Sequence, residues 1–202
     1  MSRSAFTIHT LDTAPAAARP AMAGVRRKLG HLPAAVALMA ESPELLKGFL
    51  GAAAVFESTD LDPVAREVVV LTVAARNGCQ LCVAMHTATL ARHDGTTALI
   101  EALRAGAALP APRLEALRRF TVAVLDHRGD VPDEEVAAFL SAGWRPRHAL
   151  DVVLGIGAYT ISTFANRLLD APLDPALPDP APLDPARLGP ALPGDQEKSV
   201  TA

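Results

Sequence analysis

Apolar residues recur along most of this chain at the three-and-four spacing of helices, and cap residues mark where each helix opens. Ser42, Pro43 and Glu44 supply a cap, a proline at the first helical position and an early acid, which predicts a helix running to about Ser58. Asp62-Pro63 repeats the device and predicts a helix to about Arg76, where Asn77-Gly78 breaks it. Further helices are predicted from Cys79 to Arg92, Thr97 to Ala105, Pro112 to His127, Pro132 to Ala142 and Pro146 to Leu169. No convincing period-2 strand is found. The β-branched runs Val68-Val69-Val70 and Val152-Val153 sit inside longer helical patterns, and length decides for helix.

The pattern therefore predicts an all-α protein. It divides into an N-terminal arm (1–28), a helical domain (29–170) and a proline-rich tail (171–202). In the tail APLDPALPDP (171–180) is followed by APLDPARLGP (181–190), an imperfect ten-residue repeat. Eight of the chain's 17 prolines fall here, so the tail is expected to be extended and mostly disordered.

Composition narrows the picture. Half of the 202 residues are apolar but only 4% are aromatic, so small aliphatic side chains must build the core. With 19 basic and 22 acidic residues the formal net charge is -3, which leaves no electrostatic footprint for nucleic acid. The N-terminus mixes charged and polar residues where a signal peptide needs an unbroken apolar stretch. The most apolar segment, Val152 to Phe164, falls well short of the ~20 residues of a membrane span and is read as a core helix. A cytoplasmic protein, with no nucleic-acid or membrane partner, is the expectation.

Only two cysteines are present, Cys79 and Cys82, three positions apart. As a staple such a pair closes almost no loop, so chemistry is the better explanation. At the start of a helix, Cys79, Cys82 and His86 fall on one face, and residues three apart bring their Cα atoms to about 5 Å, within disulfide reach. Unpaired N–H groups of the first turn favour an anion, which lowers a thiol pKa, and the thiolate is the nucleophile. His86, one turn beyond Cys82, is placed to accept its proton or stabilise its charge. Zinc would need two more ligands, and neither a second cysteine pair nor a fitting histidine cluster follows. Haem attachment needs a histidine directly after the second cysteine, where Val83 stands.

Glu67 lies inside the apolar stripe of the preceding helix, three after Val64 and four before Leu71. A carboxylate directed at a core needs a partner or a job. Two readings stay open: a proton-relay group with a raised pKa, or a rim carboxylate paired with Arg66 or a neighbouring helix.

Together these residues resemble the carboxymuconolactone decarboxylase superfamily, in its alkylhydroperoxidase D-like (AhpD-like) branch. The match is a glutamate, eleven residues, then C-x-x-C-x-x-x-H, here EVVVLTVAARNGCQLCVAMH with Glu67, Cys79, Cys82 and His86 in register. HLPAAVALMAESPELLKGFL before it and GWRPRHALDVVLGIGAYTISTFANRLLDAPLD near the end extend the likeness over Leu29 to Asp174.

The resemblance implies an AhpD-like helical bundle with the CxxC at the N-terminus of a central helix, and a homo-oligomer. It implies a thiol-dependent peroxidase with no bound cofactor. Cys82 attacks the O–O bond of a hydroperoxide, Cys79 resolves the sulfenic acid to a disulfide, and Glu67 and His86 relay protons. An external dithiol, in some relatives a lipoyl group on a partner protein, resets the pair. One departure weakens the proton relay: the histidine that peroxidase members place before the second cysteine is Leu81 here. A disulfide-exchange or redox-sensing protein is the alternative. Asn166 and Tyr159 are candidates for a site or an interface, without a signal that decides between them.

Overall fold

A computed structural model describes residues 5–173, so the greater part of the proline-rich tail lies outside the described residues. These residues form nine helices and no strand: α1 (Arg19–Leu29), α2 (Ala34–Met39), α3 (Pro43–Glu57), α4 (Pro63–Arg76), α5 (Gln80–Leu90), α6 (Thr97–Ala105), α7 (Pro112–Asp126), α8 (Asp133–Ser141) and α9 (Pro146–Leu168). The seven helices predicted from sequence are all present, their ends shifted by two residues at most. Their caps are the expected ones. Ser42 Oγ accepts from the Leu45 amide at 3.3 Å, and Asp62 Oδ1 accepts from the Ala65 amide at 2.9 Å.

α4 is the centre of the bundle. It packs against α5, α7 and α9, and Val68 through Ala74 are all buried. The stripe read from its sequence is therefore wider than expected, because neighbours cover the helix on several sides. Small residues allow this closeness. A Cβ placed on Gly155 of α9 would sit 2.6 Å from Phe56 of α3 and 3.1 Å from Val69 of α4, so α9 meets both helices through a residue with no side chain.

α1 and α2 were not predicted. α2 has only six residues and no side-chain cap, so it carries little local signal. α1 does carry one, with Pro20 in its first turn, Arg26, Arg27 and Lys28 in its last and a left-handed Gly30 closing it, although the sequence reading gives this stretch to the arm. Tertiary packing supplies what propensity lacks. Ala14, Ala18 and Met22 join Val36, Met39, Leu46 and Ala165 in a second apolar cluster. The arm's helix is thereby seated against α2, α3 and α9.

α9 has the length and mean hydropathy of a membrane span, yet 44% of that window is buried inside the protein. Its inner face lies against α3, α4, α5 and α7 as a core helix.

Candidate functional site

The turn between α4 and α5 presents the dithiol. Asn77 ends α4, and Gly78 adopts φ +64°, a left-handed conformation that L side chains rarely take. The Cys79 amide then bonds back to the Ala74 carbonyl at 2.9 Å, which brings the chain round to start α5. α9 locks this turn from outside: Arg167 donates to the Asn77 carbonyl at 2.8 Å and Asn77 Nδ2 donates to Thr163 Oγ1 at 2.9 Å.

Cys79 is the N-cap of α5 and Cys82 lies in its first turn. Both are free and buried, with their sulfurs 2.9 Å apart. That is too long for a disulfide, which needs ~2.05 Å, and short enough to be a thiol–thiolate hydrogen bond. The backbone N–H of Cys82 also donates to Cys79 Sγ at 3.4 Å, as a capping oxygen would receive it.

The charge is unevenly shared. Hydrogen bonding from the Cys82 thiol brings the Cys79 pKa down to about 7 against the opposing effect of burial, with help from the Cys82 amide, Asn166 and the Arg167 guanidinium. The Cys82 thiol is pushed up, first because it donates to Cys79, then by burial and the charge on Cys79. Of the two, Cys79 at the helix start is the more readily ionised and Cys82 the less. Behind Cys82, α9 supplies donors: Asn166 Nδ2 reaches its sulfur at 3.3 Å, and Ser162 Oγ lies 3.8 Å away.

Glu67 and His86 are brought together, with Oε2 2.8 Å from Nδ1. Their side chains are only 13% and 17% exposed, so the pair is shielded from water. Arg66 does not take Glu67. It turns instead to the carbonyls of Leu61 and Thr59. Tyr159 meets the His86 ring edge-on at 5.1 Å, and burial together with the Glu67 charge raises its phenol pKa.

Two cavities flank the start of α5. One, about 260 Å³, is lined by Cys79, Gln80, Asn166 and Arg167. The other, about 290 Å³, is lined by His86, Met85, Ala35 and Leu29, with Arg92 among the lining residues. Leu81 belongs to both walls. Among the described residues, no group of three or more His, Cys, Asp or Glu side chains is placed to hold a metal ion.

The four residues singled out from sequence thus form two hydrogen-bonded pairs on α4 and α5. Sequence reading left Tyr159 and Asn166 undecided and missed Ser162 and Arg167. A signal was available: Tyr159, Ser162, Thr163 and Asn166 recur at three and four on an otherwise aliphatic helix, and all four are buried.

Fold and site together define an AhpD-like helical bundle with a dithiol at a helix start. Residues 40–123 match the carboxymuconolactone decarboxylase family, which bears out the resemblance read from sequence. The fold is similar to an AhpD-core, uncharacterized peroxidase-related protein from Ralstonia eutropha JMP134, with TM-score 0.73 and 21% identity over 84% of this chain and 92% of that one. An uncharacterized peroxidase-related protein from Silicibacter sp. TM1040 is similar at TM-score 0.70 and 18% identity, over 84% and 90%. No curated protein matches the chain.

Proposed function

We propose that this protein is a thiol-dependent hydroperoxide reductase that works through Cys79 and Cys82. The observation that carries this reading is the pair of free, buried sulfurs 2.9 Å apart at a helix start. Cys82 attacks the O–O bond once its proton has passed to Cys79, across that short gap, or to the imidazole one turn on. Sulfur gains one oxygen as sulfenic acid, and the second oxygen leaves as alkoxide, which takes a proton to become the alcohol. Cys79 then attacks the sulfenic sulfur and expels the hydroxyl as water, leaving a Cys79–Cys82 disulfide. The Glu67–His86 pair supplies and removes these protons.

An external dithiol restores the two thiols in two exchange steps, first attacking Cys79, the cysteine that lines a cavity. No bound cofactor is required. A homo-oligomer in the cytoplasm belongs to the same reading.

The test is mass spectrometry after stoichiometric hydroperoxide. The wild type should form a Cys79–Cys82 disulfide, and Cys79→Ser should retain a sulfenic acid on Cys82. Reduced protein that leaves both hydrogen peroxide and an organic hydroperoxide unconsumed with every dithiol donor ends the reading.

One observation favours a second reading, a disulfide-exchange or redox-sensing protein without efficient peroxide turnover. Cys79, the more readily ionised of the two cysteines, is also the one that lines a cavity, as exchange with an outside disulfide requires. Fast exchange at Cys79 combined with slow oxidation of Cys82 by peroxide selects it.

A further inference from the structure

α9 has a second face that nothing in the described residues covers. Its inner side buries His148, Val152, Gly155, Tyr159, Ser162 and Asn166. On the outer side Leu150, Leu154, Gly157, Ile161, Phe164 and Leu168 recur at intervals of four, three, four, three and four, the spacing of a coiled-coil seam, with half-buried Leu154 at its edge also packing against the core. Leu150 is 72% exposed, Phe164 57% and Leu168 65%, so three of the largest apolar side chains on the helix stand in water. Val153 and Ile161 are exposed beside them, and no charged residue falls among the seam positions. Monomeric proteins rarely leave so continuous an apolar stripe open.

We propose that this face is the seam of a two-fold dimer in which α9 packs antiparallel against α9 of a second copy. The interval pattern reads the same in both directions. Antiparallel pairing therefore sets Leu150 against Leu168, Leu154 against Phe164 and Gly157 against Ile161 of the other copy. This is the self-complementarity that a two-fold axis demands.

Gly157 has open space where a Cβ would stand, so it offers a hole for the Ile161 knob. The exposed Leu150, Val153, Ile161, Phe164 and Leu168 leave on the order of 500 Å² uncovered per copy, and pairing buries roughly 1,000 Å², the lower bound of a specific interface. The proposal deepens the homo-oligomer element of the functional reading and uses none of its redox chemistry.

Sedimentation of the full-length, reduced protein tests it directly. The wild type should have at least the mass of a dimer at ~100 µM, and Phe164→Glu with Leu150→Glu should weaken pairing by at least tenfold. Both sites are exposed, and unchanged helicity by circular dichroism shows that the double variant folds. Register is tested by mixing Leu150→Cys with Leu168→Cys: a disulfide between positions 150 and 168 should form in the mixture, and neither variant alone should form a dimer through its new cysteine. A monomeric wild type, an assembly indifferent to the two glutamates, or crosslinks between identical positions overturns the proposal. So does wild-type protein that stays monomeric and floats with phosphatidylcholine vesicles while the double variant does not. Peroxide turnover is not read in any arm, so this result and the peroxidase reading stand or fall separately.

Discussion

His86 Nδ1 and Glu67 Oε2 lie 2.8 Å apart although the residues belong to different helices and nineteen positions separate them. The hydrogen bond holds the imidazole against Glu67, and the edge-on contact with Tyr159 fixes the ring plane further. The carboxylate thus orients the imidazole, one helical turn beyond Cys82 in the chain.

Glu67→Gln should test that role with little change in shape. The amide oxygen still accepts from Nδ1, but the charge that stabilises a protonated imidazole is gone. We expect peroxide-driven disulfide formation to slow by about 10- to 100-fold in single turnover, within the range for loss of acid–base assistance. A Glu67→Gln rate within twofold of wild type across the pH range removes Glu67 and His86 from the reaction.

Asn166 is the donor that reaches Cys82 from α9. Asn166→Leu keeps the volume and removes the hydrogen bond, so a thiolate on Cys82 loses a partner worth about 1 kcal/mol. Sulfenic acid formation on Cys82, followed in the Cys79→Ser background, should fall by about five- to tenfold. Ser162→Ala should have the smaller effect, because its hydroxyl stands at 3.8 Å. Equal rates in Asn166→Leu and its parent detach α9 from the chemistry.

Much of this site was legible in the sequence, and what was hidden has a physical cause. Cys79, Cys82 and His86 share the register of one helix, so spacing aligns them, while Glu67 on the preceding helix stood out only as a carboxylate inside an apolar stripe. Ser162, Asn166 and Arg167 approach the cysteines from a helix about eighty residues away, and no local rule gives the packing of α9 against the α4–α5 turn. The charge distribution was hidden for the same kind of reason. Register with His86 suggests that Cys82 ionises more readily, whereas the cap position of Cys79, which accepts from the Cys82 amide and lies near Arg167, lowers the Cys79 pKa instead. Strong caps at Ser42 and Asp62 made α3 and α4 readable. α2 is short and has no side-chain cap, and the cluster around Met22 and Met39 seats it together with α1.

The Cys79 thiol, at about 7, sets the pH response. Iodoacetamide should alkylate Cys79 with a midpoint near pH 7 in wild type, well below an ordinary thiol. In Cys82→Ser the midpoint should rise, because the chief donor to the thiolate becomes a weaker neutral hydroxyl. Stability follows the same sign. A pKa lower in the folded than in the unfolded chain adds stability as pH rises from about 7 toward 9, and that stability is lost as pH falls through 7. The melting temperature of reduced protein, compared with the disulfide form at each pH, should therefore rise over that window. A reduced–oxidised difference that is flat between pH 6 and 9 contradicts a lowered Cys79 pKa.

Gly155 is where the fold itself reaches the site. A methyl group at this position would overlap the Phe56 ring and press on Val69 Cγ1, and neither α3 nor α4 has slack there, since both residues are fully buried. Gly155→Ala gains helix propensity of roughly 1 kcal/mol, yet the overlap with two packed helices outweighs it, at about 1–3 kcal/mol net. For a chain of this size that lowers the melting temperature by about 2–10 °C. The displaced helix is the one that carries Ser162 and Asn166, so the Cys82 hydrogen bonds should suffer with stability. Phe56→Leu, which trims the ring that the methyl would strike, should recover part of the loss when combined with Gly155→Ala. Double-mutant thermal denaturation measures that recovery, and strictly additive losses place the strain elsewhere than between α3 and α9.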